Sequence, residues 1–303
     1  MENTHDHDQL LREIKKKINS IRTYTPKVGV FGDSGIGKSS LCNALFGKEE
    51  ATISDVAACT REPQEIFLKN AAGNGIILVD VPGVGENIAR HEEYTDLYKS
   101  LLPNLDLVLW GVQSSSRSYQ SSLDAYNKAV LDSTAAPPIL VVITQTDRIS
   151  PSKEWNHEAF VPGKTQEQNI KDKIIDVSGH FKIPADNIIA IAVEELTEEE
   201  RKNEKPRKSW HLQELVNRIV DVLPNEKKYS FTREANEEVV SDAARVSAEK
   251  GIWDSVKEFA GNAWDAVKEA VKEEILPVVM EVAKQAVRDF LGGLFKKKPN
   301  GWF

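Results

Sequence analysis

The stretch KVGVFGDSGIGKSS, residues 27–40, decides the expected fold. Its apolar beginning predicts a β-strand, and the residues from Lys38 to about Leu45 predict a helix. Between them, Gly32 and Gly37 frame a loop that fits the pattern G-x-x-x-x-G-K-[ST]. Successive backbone N–H groups of such a loop converge on phosphate oxygens at the positive end of a helix. We therefore predict phosphate contacts from the loop residues Asp33, Ser34, Gly35, Ile36, Gly37, Lys38, Ser39 and Ser40.

Further residues fit the chemistry of a triphosphate and its magnesium ion. Lys38 would reach the β- and γ-phosphates, and the Ser39 hydroxyl would ligate Mg²⁺. Asp80 ends an apolar strand within the motif DVPG, so it can hold the same ion through water while the N–H of Gly83 meets the γ-phosphate. The hydroxyl and carbonyl of Thr60 could close over Mg²⁺ only when a γ-phosphate is present. The predicted metal ligands are therefore Ser39, Thr60 and Asp80.

A third motif, TQTD at residues 144–147, follows another apolar strand and selects the base. A carboxylate at Asp147 can accept two hydrogen bonds, from N1–H and N2–H₂ of guanine. Adenine has no such pair of donors. We therefore predict base contacts from Thr144, Gln145 and Asp147, and binding of GTP and GDP rather than ATP.

Apolar runs alternate with helical spacings along most of the chain, which predicts an α/β domain with a mainly parallel six-stranded sheet. The predicted strands are residues 27–31, 65–68, 76–80, 107–112, 139–143 and 188–193. The predicted division is an N-terminal amphipathic helix in residues 1–22, a nucleotide-binding domain in residues 23–226 and a helical region in residues 227–303. The charged segment 194–208 is expected to be a solvated insertion or loop.

The composition narrows the classes of partner. The 303 residues include 47 acidic and 39 basic ones, and the net charge of −8 does not favour nucleic acid as a general partner. The two cysteines, Cys42 and Cys59, lack CxxC spacing, the first eight residues are polar, and no apolar run reaches the ~18 residues of a spanning helix. We therefore expect a reducing, cytoplasmic setting.

Taken together, these motifs resemble the Era-like branch of the translation-factor class of small GTPases. Within that branch, the runs GKSSLCNALFG, DVPGVGE, VLWGV and VITQTD are similar to the bacterial YfjP/YkfA-type GTPases, with the immunity-related GTPases as more distant relatives. The resemblance covers about residues 25 to 225. It implies guanine specificity and a switch cycle, with Thr60 in the first switch and residues 80–86 in the second.

The base-binding motifs depart from the family's pattern. The fourth motif normally carries a lysine whose stem covers the guanine face, and Gln145 stands in its place. Base selection by Asp147 should survive with looser affinity. The fifth motif, normally Ser-Ala, is reduced to the segment AIAV at residues 190–193. Its register is open, so we predict base contacts only from the region of Ala192 and Val193.

The hydrolytic machinery is also incomplete. Ras-type enzymes position the attacking water with a glutamine directly after the Asp-x-x-Gly motif, and here that residue is the apolar Val84. Catalysis then depends on Lys38, Mg²⁺, Thr60 and the backbone of Gly83, which stabilise charge but orient water poorly. We expect intrinsic turnover on the order of 10⁻³ s⁻¹ or below. A partner or a second protomer could supply the missing group.

The helical region contains a repeat. WDSVKE begins at Trp253 and WDAVKE begins at Trp264, eleven residues later, a period that keeps one face nearly constant along a helix. We therefore predict one amphipathic helix with the face Ile252, Val256, Phe259, Ala263, Val267 and Ala270. Pro277 is expected to break or kink it before a second apolar helix at residues 278–291. The face could pack in a helical bundle against the N-terminal helix and the nucleotide-binding domain, which the balanced charge favours over a membrane surface, or it could be buried in a homodimer.

Three functions remain open from the sequence. The leading one is a GTP-hydrolysing switch whose helical region docks a partner or a second copy of the chain. The second is a membrane-docking GTPase that uses residues 250–303 as amphipathic helices on the lipid surface, which would place the protein at the membrane periphery. The third is a ribosome-associated GTPase, which only the family resemblance supports and which the net charge opposes.

Overall fold

The computed structural model describes residues 2–33, 35–47, 64–69, 75–80, 91–115, 119–131, 136–203 and 205–282. Two compact units divide the chain. The sheet unit comprises Thr25–Leu223 and Glu234–Ser241, and the helical unit comprises Met1–Tyr24, Pro224–Arg233 and Asp242–Phe303. The boundaries predicted for residues 1–22, 23–226 and 227–303 remain predictions.

The sheet unit is built on six strands in the order β2-β3-β1-β4-β5-β6. Only β2 runs antiparallel, in a pair with β3, which confirms the predicted mainly parallel sheet. The five parallel strands end at one edge, where ligands bind in open α/β sheets. The strands are β1 (Lys27–Gly32), β2 (Gln64–Lys69), β3 (Gly75–Asp80), β4 (Leu107–Gln113), β5 (Ile139–Thr144) and β6 (Ile188–Ala190).

Helices flank this sheet and bury its apolar residues. Trp110 of β4 is fully buried, and its indole N–H donates to the hydroxyl of Ser122 over 2.8 Å. Phe31 stacks on Tyr98 beside it, with 4.5 Å between ring centroids. The helices are α2 (Lys38–Phe46), α3 (His91–Leu101), α4 (Gln120–Tyr126, continued by a π-turn at Asn127–Leu131), α5 (Lys164–Phe181), α6 (Glu198–Lys202) and α7 (Leu212–Val222).

The prediction of one strand over residues 188–193 is wrong. After β6 the backbone of Ile191 still bonds to the end of β5 and the turn after it, donating to the carbonyl of Ile143 and accepting from the N–H of Thr146. The strand β7 (Ala192–Val193) then pairs antiparallel with β8 (Ser209–Trp210). The charged segment between them is the connection of this hairpin. It is ordered by Lys205, which contacts Glu194 and Glu200 at 3.1 and 2.7 Å.

The helical unit contains α1 (Glu2–Thr23), α8 (Asn225–Glu234), α9 (Asp242–Ala260) and α10 (Trp264–Val282). Of α8, the last residue, Glu234, is assigned to the sheet unit. The i, i+4 and i, i+3 spacing of α1 turns Ile14, Ile18 and Ile21 to one face, and all three are buried. They form one core cluster with Ile252, Val256, Val267, Val271 and Ile275 of α9 and α10. The predicted packing of the N-terminal helix on the C-terminal helices is therefore observed.

The prediction of one continuous helix through both tryptophan repeats is wrong. A 3₁₀ turn at Gly261–Ala263 separates α9 from α10, and Gly261 has φ +53°, a conformation that ends a helix readily at glycine. Phe259, near the end of α9, and Ala270 of α10 belong to the predicted face but are exposed. Trp253 and Trp264 meet edge to face across the turn, with 6.3 Å between their centroids.

Pro277 lies inside α10 and does not end it, so a break before residue 278 is wrong, and the kink that was its alternative stays a prediction. Its position is exposed, where a carbonyl that loses its helical partner can bond to water. The rest of the predicted second helix, after Val282, lies outside the described residues. Among the residues that the structure describes, no helix is both long and apolar enough to cross a membrane.

Candidate nucleotide-binding site

The glycine-rich loop connects β1 to α2 at the carboxyl edge of the sheet. At its start, Gly32 has φ +129°, and a Cβ there would lie 2.4 Å from the carbonyl oxygen of Gly111, so no larger residue fits. At its end, Gly37 has φ +82° and is the residue before the first turn of α2. Lys38 begins the helix, and its ammonium lies 3.5 Å from the carbonyl of Gly32. The loop therefore presents a helix N-terminus and a lysine together.

The TQTD motif turns sharply where β5 ends. Gln145 has φ +57°, and Thr146–Arg148 form a 3₁₀ turn that carries the half-buried Asp147. The amide of Gln166, a fully buried side chain of α5, donates to the carbonyls of Asp147 and Ile149 over 3.0 and 2.9 Å. Gln166 thus holds the turn in place from α5, a role that the sequence did not indicate.

Two hydrogen bonds join the TQTD motif to the phosphate loop. The hydroxyl of Thr144 donates to the carbonyl of Ile36 over 2.7 Å, and the amide of Gln145 donates to the carbonyl of Gly35 over 3.1 Å. The structure therefore brings together two motifs separated by more than 100 residues, as their assignment to a single site requires. The substitution of glutamine for lysine keeps a donor toward the loop but carries no charge.

Gln145 is itself held from three sides. Its side-chain oxygen accepts from Gln113 and Arg148 over 2.9 and 2.8 Å, and its backbone carbonyl accepts from the hydroxyl of Ser114 over 2.5 Å. Gln113 is the last residue of β4 and pairs in register with Thr144, and Ser114 follows it directly. No pattern in the sequence indicates this network, because each member is an ordinary polar residue at or near a strand end.

The segment predicted as the fifth motif also reaches this site. Ile191 accepts a backbone hydrogen bond from Thr146 over 3.2 Å, so its chain borders the turn of Asp147. Ala192 is fully buried in a cluster with Trp155 and Phe160, while Val193 is half-buried. The contact with the turn is therefore made one residue before Ala192.

The metal and switch residues are only partly within the described structure. The backbone of Asp80 ends β3 and pairs in register with Val30 of β1, two residues before Gly32, so the DVPG motif begins beside the phosphate loop. Ser39 lies in the first turn of α2 and is half-buried. The loop residue Ser34, the switch residues Thr60 and Gly83, Val84, and the side chain of Asp80 lie outside the described residues.

Comparison with known proteins agrees with this geometry. Residues 27–145 match the family model described as "50S ribosome-binding GTPase". The chain is 32% identical over 274 residues to the uncharacterised protein YkfA of Escherichia coli K12, covering 90% of this chain and 86% of YkfA. It is 35% identical over 213 residues to the uncharacterised protein YfjP of the same strain, covering 70% of this chain and 67% of YfjP.

The chain therefore carries a GTPase domain of the matched family in residues 27–145. As a whole it belongs to the family of YkfA and YfjP, as the four sequence motifs indicated. Among solved structures, it matches Aquifex aeolicus Era bound to GDP·AlF4⁻ with a TM-score of 0.44 and 21% identity, over 69% of this chain and 66% of that one.

Proposed function

We propose that the chain binds GTP in the presence of Mg²⁺, hydrolyses it slowly and acts as a nucleotide-dependent switch. The observation that carries the proposal is the pair of hydrogen bonds from Thr144 and Gln145 to the phosphate loop. Together with the buried amide of Gln166, they support one site in which the phosphates lie on the loop and the guanine lies at Asp147. The family match supports the same substrate.

The residues present fit a magnesium ion. Mg²⁺ prefers oxygen ligands and keeps several waters, and Ser39, Thr60 and Asp80 all offer oxygen. The register of Asp80 opposite Val30 supports this set, because it starts the DVPG motif at the loop that contains Ser39. When bound, the ion would neutralise charge on the β- and γ-phosphates.

The chain's own residues supply electrostatic stabilisation. The helix N-terminus at Gly37 and the ammonium of Lys38 favour the negative charge of the phosphates, and the backbone N–H of Gly83 would donate to the γ-phosphate. The side chain of Val84 has no polar atom with which to orient water. We therefore propose a turnover on the order of 10⁻³ s⁻¹ or below in the absence of a partner.

Steady-state GTP turnover tests this proposal. Lys38→Ala should lower turnover by about 100-fold, the typical effect of removing one preorganised charge donor. Lys182→Ala is the matched control, because Lys182 is an exposed lysine at the end of α5 in the same unit. Equal turnover in wild type and Lys38→Ala would refute the site assignment.

For the helical unit we propose a role in docking a partner or a second copy of the chain. The apolar residues of α9 and α10 bury against α1, so much of the face that a membrane-docking helix would offer to lipid is occupied. Trp253 and Trp264 pack against the same core. Cosedimentation of the full chain with anionic vesicles should therefore give no more pelleting than with neutral vesicles. Tight binding to anionic vesicles would favour the membrane-docking alternative instead.

Ribosome association remains the third candidate. Its support is the wording of the matched family, and the net charge of −8 opposes it. Cosedimentation with ribosomal subunits at low and high salt, with GDP or a non-hydrolysable GTP analogue, would decide between this role and a protein partner.

A further inference from the structure

A cavity of about 530 Å³ lies in the sheet unit at the end of α2 opposite the phosphate loop. Asn43, Ala44 and Gly47 line it from that end of the helix. The hairpin connection before β8 and the segment 236–239 supply the other walls. Its volume is in the range of sites for small organic molecules, about 300–1,000 Å³. Its apolar lining residues are Ala44, Leu196, Leu212 and Val239.

Arg207 is the unsatisfied cation of this cavity. Its Nε is buried and donates to no acceptor, and its side chain makes no ion pair or hydrogen bond within the described ranges. The neighbouring lysines differ. Lys205 contacts Glu194 and Glu200, and the ammonium of Lys208 donates to the carbonyls of His157 and Glu158 over 3.1 and 2.9 Å.

An unpaired, partly buried guanidinium is unfavourable, because it loses hydration without gaining an acceptor. Its planar fork of N–H donors matches a carboxylate or a phosphate. The carboxylate of Glu238 also lines the cavity but is exposed and lies in no ion pair with Arg207 among the described residues. An anion from outside the chain would supply the acceptor that the Arg207 guanidinium lacks among the described residues.

Asn43 adds an acceptor to the same cavity. Its Oδ1 is buried and receives no hydrogen bond within the described part of the chain. The other lining asparagine is already engaged. Asn236 donates its amide to the carbonyl of Ala44 over 3.3 Å and accepts from the N–H of Glu238 over 3.2 Å. A ligand with an N–H or O–H group could therefore donate a hydrogen bond to Oδ1 of Asn43.

We propose that this cavity is a second ligand site, which binds an organic anion. The carboxylate or phosphate group of the ligand pairs with Arg207, a donor group of the ligand bonds to Asn43, and its apolar body lies against Leu196 and Leu212. None of these residues belongs to the nucleotide site, so binding here does not depend on the GTPase activity.

Two anionic probes and one neutral probe test the proposal on the full chain. Indole-3-acetate carries a carboxylate, an apolar ring and an N–H donor, phenyl phosphate carries the alternative anion, and indole-3-acetamide is the neutral counterpart. Binding is measured by saturation-transfer NMR with excess GDP and Mg²⁺. We expect at least one anion to bind wild type with a Kd at least tenfold lower than that of the amide, and the better anion distinguishes carboxylate from phosphate.

The variants locate the binding. Arg207→Gln should weaken the anion at least tenfold, while Lys182→Gln, which removes an exposed charge elsewhere in the unit, should not change it. Lys38→Ala should also leave it unchanged, so binding at the phosphate loop is distinguished from binding at the cavity. Absence of binding by both anions, or equal binding to wild type and Arg207→Gln, would overturn the proposal.

The melting temperature of Arg207→Gln without probe distinguishes a ligand-binding role of Arg207 from a structural one. Because Arg207 makes no hydrogen bond or ion pair with any residue that the structure describes, Arg207→Gln without probe should melt at or above the temperature of wild type. A melting temperature lowered by more than about 3 °C would show that Arg207 supports the fold and would also count against the proposal.

Discussion

Thr144→Val probes the connection between the base turn and the phosphate loop. The two side chains have similar shape, but valine cannot donate the 2.7 Å hydrogen bond to the carbonyl of Ile36. Thr144 is only 5% exposed, so water does not readily replace the lost donor. Leaving a buried carbonyl without its partner costs about 1–3 kcal/mol. If the loop must keep its position to hold phosphate, this corresponds to an affinity for nucleotide that is about 5- to 150-fold weaker.

The assay is titration of each variant with a fluorescent GDP analogue in Mg²⁺, together with urea unfolding of the nucleotide-free protein. Thr144→Ser is the matched control, because it keeps the hydroxyl and loses only a methyl group. We expect its affinity to stay close to that of wild type. The reasoning is refuted if Thr144→Val and Thr144→Ser have the same affinity and the same free energy of unfolding.

Three further predictions concern the sheet unit. Ser122→Ala should lower the free energy of unfolding by about 1–3 kcal/mol in urea titrations, since it leaves the buried indole N–H of Trp110 without an acceptor, and no loss would contradict that bond. Gly111→Ala should cost about 1–3 kcal/mol by overpacking, because its Cβ would lie 1.8 Å from Cδ1 of Ile36, and the added change Ile36→Val should recover part of the loss. Burial lowers the pKa of His211 in the folded protein, and the carboxylates of Glu214 and Glu167 oppose this shift. In the unfolded chain the pKa of this histidine is about 6.5, so below that pH the unfolded state binds more protons than the folded state. The free energy of unfolding should therefore fall as the pH drops through about 6.5. His211→Gln should remove this slope from unfolding curves recorded between pH 7 and 5, and an unchanged slope would assign it to another group.

Much of the sheet unit could be predicted from the sequence because its signals are local. Parallel strands that are buried on both faces read as continuous apolar runs, and the phosphate loop has a fixed spacing of glycines and lysine. The order of the motifs then indicated that Asp147 and Lys38 share a site. The hydrogen bonds from Thr144 and Gln145 to the loop supply the contact that this inference required.

Other features depended on tertiary contacts that leave no local pattern. Gln166 is a glutamine on an amphipathic helix and would ordinarily be exposed, yet it lies fully buried under the base turn. The apolar run 188–193 is divided because Ala192 and Val193 pair with Ser209–Trp210 instead of β5, and no change in hydrophobicity marks that division. The eleven-residue repeat predicted one helix, but the positive φ of Gly261 separates the two copies.

The helical unit illustrates the same limit. The spacing of Ile14, Ile18 and Ile21 predicted an amphipathic helix, but the sequence alone left its partner open. The structure identifies that partner as α9 and α10 through one shared apolar core. The docking role of the helical unit is therefore a proposal, which the vesicle and ribosome cosedimentation experiments test.

The most direct test of the central claim is the nucleotide preference of wild type and Asp147→Asn. Dissociation constants for GDP, XDP and ADP should place GDP first for wild type. They should place XDP first for the variant, because an amide at this position offers an N–H donor to the C2 oxygen of xanthine. A wild type that binds ADP as tightly as GDP, or a variant that still prefers GDP, would contradict the assignment of the guanine site to Asp147.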